Sequence, residues 1–145
     1  EQKIPDVSQE FIEKMYQDVF FVQLQNIVKD IITQMANYNI NAVLDHIMYI
    51  TEQSNIYIDR EAPWSLKNSD PRKMNEVLYR IVETVRYIGI LMQPFIPDSA
   101  AKILDQLSVP ENNRNFRHLT KEFAIKPCTR ISEPRPIFPR LEIRN

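Results

Sequence analysis

The chain has almost no glycine: Gly89 is the only one, and ten prolines supply most of its punctuation. A glycine-rich phosphate loop therefore has no residues to build it, because such loops need several positions where backbone N–H groups converge without a Cβ in the way. Cysteine is as scarce. Cys128 stands alone, which excludes an internal disulfide, and with His46 and His118 as the only histidines there is no ligand spacing for a zinc or iron centre, so no metal site is expected. Between Pro127 and Thr129, with no base beside it, Cys128 is expected to be an inert thiol in a reducing compartment. Two histidines in different elements, His46 reading as a packing or boundary residue and His118, among the basic residues of the tail, as a surface residue, suggest no Ser/His/acid or Cys/His nucleophile, and nothing marks Asp59/Glu61 or Glu76/Glu83 as acid–base dyads. No catalytic residue is assigned. No apolar run approaches the roughly 20 residues of a membrane span, so no membrane partner is expected, and the polar start Glu1-Gln2-Lys3-Ile4-Pro5-Asp6 reads as neither a signal nor a transit peptide. These absences describe a binding or scaffolding module.

What is present is helical periodicity over 145 residues that are 43% hydrophobic, enough for one globular domain with a sizeable core. Ser8 with Glu10, Phe11 and Ile12 reads as a helix start, with Val7 placed to staple against Ile12. Phe11, Met15, Val19, Val22, Ile27, Ile31 and Met35 then predict one long first helix, closing near Asn37-Tyr38-Asn39, where asparagine tolerates the left-handed conformation. A second helix is predicted from Asn41, as its cap, to about residue 59, with Val43, Ile47, Ile50 and Tyr57 on one stripe and Leu44 and Met48 beside it. Pro63 ends it by disfavouring the helical conformation at Ala62. A polar connection over residues 65–71 with Asn68-Ser69-Asp70-Pro71 as turn chemistry leads into a third helix, to Met92, carrying Met74, Val77, Leu78, Ile81, Val85, Ile88 and Leu91 inward. Pro94 breaks it, and Pro97 opens a fourth presenting Ala100, Ile103, Leu104 and Leu107. Beyond Pro110 the periodicity fades. The expected architecture is all-α, an antiparallel bundle of four to five helices with residues 111–145 as an irregular or short-extended strap packed on it.

The net charge of −1 conceals an asymmetry: residues 1–60 carry 4 basic and 9 acidic side chains, whereas residues 111–145 carry 8 basic and 4 acidic. Arg130, Arg135 and Arg140 belong to that basic tail, together with Arg144. Two readings fit it, a solvated surface and a surface facing phosphates.

The only tryptophan, Trp64, follows directly on the proline that stops the second helix. A large flat side chain at a helix end suits stacking on a planar ligand such as an unpaired base, and it suits equally a plug at the end of a bundle. Asn55 and Asp59, four residues apart, fall on one face of the approaching helix, where an amide and a carboxylate can hydrogen-bond the edges of splayed bases. Asp59 also suits a helix-end cap or a partner for Arg60 or Lys67.

Three ordered segments now carry a resemblance. The run Tyr57-Ile58-Asp59-Arg60-Glu61-Ala62-Pro63-Trp64 resembles the Y-x-D-x-x-A-P-W segment of the methionyl-tRNA synthetases. Leu91-Met92-Gln93-Pro94-Phe95-Ile96-Pro97 with Ala100-Ala101-Lys102-Ile103-Leu104 is similar to that family's proline-broken helix pair, and Pro136-Ile137-Phe138-Pro139-Arg140-Leu141-Glu142 to its closing P-L-F-P-R-I-E. The resemblance covers essentially the whole chain.

It implies the anticodon-binding domain of a class I synthetase, recognising the CAU anticodon of tRNA-Met, within a parent enzyme that attaches methionine to tRNA-Met using ATP. On the family's pattern Trp64 stacks on the wobble cytosine, Pro63 shapes its turn, and Asn55 and Asp59 help to position the anticodon bases. Arg130, Arg135 and Arg140 are candidates for the tRNA backbone, Arg140 equally for a bundle carboxylate. The catalytic domain with its HIGH and KMSKS signatures, which binds ATP and methionine, is expected to lie outside this sequence, as is a preceding helix with an anticodon-reading asparagine and arginine. The fragment itself is thus expected to be non-catalytic and without a cofactor. Its implied partners are tRNA-Met and that catalytic domain of the same polypeptide, in a monomer of the bacterial cytoplasm, with the mitochondrion as the alternative. Two rivals remain: a helical protein-interaction module, and a structural module of another class I synthetase with Trp64 buried.

Overall fold

A computed structural model describes residues 2–141. Glu142 of the closing motif and Arg144 of the basic tail lie outside the described residues. Six α-helices follow one another: α1 (Gln9–Gln17), α2 (Val19–Ala36), α3 (Ile40–Glu61), the single turn α4 (Pro63–Leu66), α5 (Pro71–Met92) and α6 (Pro97–Gln106). Helix α5 is the centre of the bundle and packs against α3, α4 and α6, while α2 lies against α1 and α3. Phe21, Leu24, Val28 and Ile31 from α2, Val43, Ile47 and Ile50 from α3, Tyr87, Ile90 and Leu91 from α5, and Leu104 from α6 form the core. Gly89 is needed at the α5–α6 contact, because a Cβ there would stand 2.9 Å from Leu104 Cδ2 and 3.2 Å from Ile103 Cγ2.

Where the helices begin follows from side-chain caps. Ser8 accepts a hydrogen bond from Phe11 N at 3.1 Å, and Asp70 accepts one from Lys73 N at 3.0 Å with Pro71 at the first helical position. The expected single first helix is instead two. Asp18 is extended (φ −75°, ψ 163°) and turns its carboxylate onto Phe21 N at 3.0 Å, so it ends α1 and caps α2. Arg80 of α5 pairs with the other oxygen of the same carboxylate. The break resets the helical phase. Val19 and Val22, read as inward, are exposed, and Phe21 and Leu24 take the core positions instead.

Three further expectations are corrected. The residue that goes left-handed after α2 is Tyr38 (φ 58°), not an asparagine. The cap of α3 is Asn39, which makes no side-chain cap bond, not Asn41. On α5 the expected stripe is only partly the buried one. Met74, Leu78, Ile81, Val85 and Ile88 are half-buried, whereas Tyr79, Glu83, Thr84, Arg86 and Tyr87 are fully enclosed. A helix packed on several sides buries most of its circumference, so a one-sided apolar stripe underestimates it.

The strap is irregular, as expected, with three 3-10 segments at Glu111–Asn113, Phe116–His118 and Lys121–Phe123 in its first part. It meets the chain's beginning: Lys3 and Arg130 form an isolated antiparallel bridge, with Ile4 N donating to Thr129 O at 2.8 Å and Cys128 N to Ile4 O at 3.1 Å.

A buried ionic cluster fixes the strap to α5. Glu83 and Arg86 are 0% and 1% exposed and pair at 2.6 Å. Arg86 also donates to the backbone oxygens of His118 at 2.8 Å and Thr120 at 3.3 Å, while Glu83 accepts from Ile125 N at 3.1 Å and from the Tyr16 hydroxyl. Tyr79 donates to Ile125 O at 2.6 Å. With every oxygen of Glu83 engaged, the desolvation of both charges is compensated. Burial pushes the Tyr87 hydroxyl up to about 12, and burial with the Glu83 carboxylate beside it pushes Tyr16 and Tyr79 above the usual tyrosine range.

Candidate nucleic-acid interface

Helix α3 ends at Ala62, which adopts the left-handed conformation (φ 42°, ψ 60°) that costs a residue with a Cβ about 1–2 kcal/mol. Its N–H donates to Ile58 O at 2.9 Å, and its carbonyl accepts from both Ser65 N at 2.9 Å and Ser65 Oγ at 2.8 Å. Pro63 then starts α4 with its ring buried. The predicted stop at Ala62 is thus realised, although residues expected as a plain polar connection form one helical turn. Trp64 emerges from that turn 66% exposed. An indole so placed gives no support to the bundle-plug reading and presents a bare aromatic surface to solvent.

Asn55 and Asp59 are both exposed on α3, one turn apart. Asp59 makes no hydrogen bond or ion pair among the described residues, so neither the cap nor the pairing with Arg60 or Lys67 is seen. Arg60 turns to Glu61 instead, Nε to Oε1 at 3.1 Å, and lies over the Tyr57 ring at 5.5 Å, with Arg80 at 5.4 Å from the same ring. Asn55 edges an open depression of about 430 Å³ shared with Asp45, Met48, Tyr49, Thr51 and Glu52. That face of α3 is acidic and holds the exposed apolar side chains Met48 and Ile56, so it suits base edges and ring faces better than phosphates. The cations nearest in sequence to Trp64 are Arg60, Lys67, Arg72 and Lys73.

In the strap, main-chain bonds hold the segment that carries the predicted backbone contacts. Ser108 Oγ donates to Arg130 O at 2.8 Å and Gln106 Nε2 to Arg135 O at 2.7 Å, and Arg130, Arg135 and Arg140 are all exposed.

The remaining titratable groups have structural surroundings. His46 lies 3.9 Å from Asp30 at the bundle boundary. His118, read as a surface residue, is buried: its Nδ1 accepts from Asn115 N at 3.0 Å and its ring meets Phe123 edge-on at 4.5 Å. Local desolvation and Asp6 push the Cys128 thiol up, away from nucleophilic use.

Sequence reasoning missed two features around the site, the bridge from Glu61 to Lys73 (Oε2 to Nζ, 3.3 Å) and the Glu83–Arg86 cluster. The i,i+3 spacing of Glu83 and Arg86 was the available signal for the second. No spacing announces the first.

The free-state crystal structure of Mycobacterium tuberculosis methionyl-tRNA synthetase has the same fold, with a TM-score of 0.83 at 23% identity over 98% of this chain and 28% of that one. The bundle therefore shares its fold with part of that synthetase. A profile described as the anticodon binding domain of methionyl tRNA ligase matches residues 4–143, and the chain belongs to that family. It is 46% identical over 140 residues to the methionine–tRNA ligase of Rickettsia bellii, covering 97% of this chain and 28% of that relative, and 42% identical over 106 residues to that of Mesorhizobium japonicum, covering 73% and 20%. The chain thus spans between a fifth and little more than a quarter of the length of these relatives. Among the described residues, no helix is long and apolar enough to cross a membrane.

Proposed function

We propose that this chain recognises the CAU anticodon of tRNA-Met, as one domain of a methionine–tRNA ligase whose remaining part uses ATP to attach methionine to that tRNA. The observation that carries the reading is Trp64, whose side chain is exposed on a one-turn helix that follows a left-handed Ala62 and is seated by a buried Pro63. The wobble cytosine stacks on the indole. Asn55 and Asp59 meet the edges of neighbouring bases, since both are exposed and Asp59 keeps its acceptors free of other described groups. Arg130, Arg135 and Arg140 supply the phosphate contacts that the acidic face of α3 does not. Holding the anticodon places the acceptor end of the tRNA at the distant active site, and catalysis gains through orientation. ATP and methionine belong to that active site. The lone Gly89, packed inside the α5–α6 contact, offers ATP no phosphate cradle. The enzyme acts as a monomer in the bacterial cytoplasm, with the mitochondrion as the alternative.

The test is removal of the indole. Trp64→Ala is expected to leave the unfolding free energy within about 0.5 kcal/mol, as for other exposed positions. It should weaken binding of a CAU anticodon stem-loop by about 1–3 kcal/mol. Unchanged affinity in a folded variant would refute the stacking role. Affinity for a protein partner in place of the stem-loop would favour an interaction module, for which an exposed aromatic is equally suited.

A further inference from the structure

The segment that carries Trp64 runs from the end of α3 to the start of α5, and one side chain closes its base. Glu61, the last residue of α3, engages both carboxylate oxygens: Oε1 with Arg60 Nε at 3.1 Å and Oε2 with Lys73 Nζ at 3.3 Å. Lys73 lies in the first turn of α5, where its backbone N–H is already fixed by the Asp70 cap at 3.0 Å. Asp70 N donates in turn to Leu66 O at 2.9 Å. The Glu61 side chain is only 19% exposed, whereas those of Arg60 and Lys73 are 66% and 52% exposed. Burial alone would raise its carboxyl, but the two cations outweigh it and hold Glu61 below the usual carboxylate range.

Inside this closure sits the strained turn. Ala62 adopts a conformation that an L-residue leaves when free to do so, and such strain persists where surrounding contacts over-determine it. The Ser65 bonds to Ala62 O act within the turn, and the buried Pro63 ring anchors its near end. The Glu61–Lys73 bridge spans the excursion from helix to helix, beside the packing of α4 on α5 and the Arg80 guanidinium over the Tyr57 ring.

We propose that Glu61 is a positioning residue for Trp64: by tying the end of α3 to the first turn of α5 it fixes the backbone on either side of the strained turn, so that the exposed indole projects in one orientation ready to receive a planar base. This rests on the reading of Trp64 as the stacking surface given above. An exposed side chain has few contacts of its own to orient it, so its direction is set by the backbone that bears it, and a preset direction lowers the ordering cost of stacking.

Two measurements on the whole chain test it, using Glu61→Gln, Lys73→Glu and the exchanged pair E61K/K73E. Trp64 is the only indole, so its time-resolved fluorescence anisotropy reports its local mobility without RNA. Binding of a CAU stem-loop reports the consequence. Glu61→Gln and Lys73→Glu should each enlarge the fast depolarisation of Trp64 and weaken stem-loop binding about threefold to tenfold, with the melting midpoint unchanged for Glu61→Gln and both effects largely reversed in the exchanged pair. Anisotropy decays identical across the set would overturn the proposal, as would weakened binding without added mobility, which would make Glu61 a matter of charge alone. Added mobility in a protein whose wild type binds no stem-loop would sink the stacking reading and leave the positioning role intact.

Discussion

At the residue scale the site depends on a conflict between local preference and placement. Ala62 would be glycine if ease of turning were the only demand, yet it takes a left-handed conformation immediately before a proline whose own ring is buried. Pro63 was legible as a stop because its effect on the preceding residue is local sterics, and Trp64 was legible as a candidate because no other indole competes for attention. That Pro63 is buried and Trp64 exposed was not legible, since it depends on where α5 lies. His118 shows the same limit. Read from sequence among arginines it looked like surface, but its ring is enclosed by the strap and by α5. Desolvation, then Arg117 on its own segment and Arg86 on α5, hold its pKa below the usual 6.5. The unfolded chain therefore binds the extra proton first as pH falls. The stabilisation His118 gives is complete above about pH 6.5 and is lost as pH drops from there toward the folded value. Protonation would also remove the Nδ1 acceptor from Asn115 N. Melting midpoints at pH 7.5 and 5.5 should fall further for the wild type than for His118→Asn; parallel falls would show that the imidazole does not titrate on unfolding.

At the element scale, helices were read correctly wherever a proline or a capping side chain marks their ends, as with Ser8, Pro71 and Pro97. The exception is Asp18. An aspartate within a continuous apolar pattern gives little sign that it will leave the helix, and the reason it does so is tertiary: Arg80, 62 positions later, pairs with the carboxylate that caps α2. One misread residue then misassigned Val19 and Val22. Helix α5 carries the other hidden element, the Glu83–Arg86 cluster that receives the strap. Glu83→Ala would leave the Arg86 guanidinium buried without its counter-charge and would strip Ile125 N and the Tyr16 hydroxyl of their acceptor. Removing one partner of a buried pair costs about 3–5 kcal/mol, so denaturant unfolding should show a loss of that size, with amide exchange of Ile125 accelerated before that of α2 and α3. A loss below about 1 kcal/mol would mean that the strap is held by its apolar contacts, Leu119 and Ile125, and not by the ionic cluster. Replacing both charges by apolar residues is no simple remedy here, because the carbonyls of His118 and Thr120 would lose their donor.

For the whole molecule, the charge distribution separates two tasks. Residues 1–60, through most of α3, are acidic and present Asn55 and Asp59 on the helix that leads to Trp64, while the strap is basic and its backbone is held by the side chains of Gln106 and Ser108, which leave Arg130, Arg135 and Arg140 exposed. On the proposed reading base identity is met by stacking and edge contacts, and affinity is topped up by phosphates elsewhere, an arrangement in which salt weakens binding without erasing selectivity. The all-α class and the family were legible in full from periodicity and from three ordered motifs. The aromatic centre of the site was legible from one residue, and the scaffolding that holds it was not, because Glu61–Lys73 and Glu83–Arg86 act across elements that periodicity treats one at a time. The most direct test of the central claim uses Trp64 as its own reporter: a fluorescence titration with an anticodon stem-loop bearing CAU and with one whose wobble cytosine is replaced. Strong, saturable quenching by CAU and clearly weaker quenching by the replaced loop is the predicted result. Emission unchanged by saturating amounts of either loop would contradict the account.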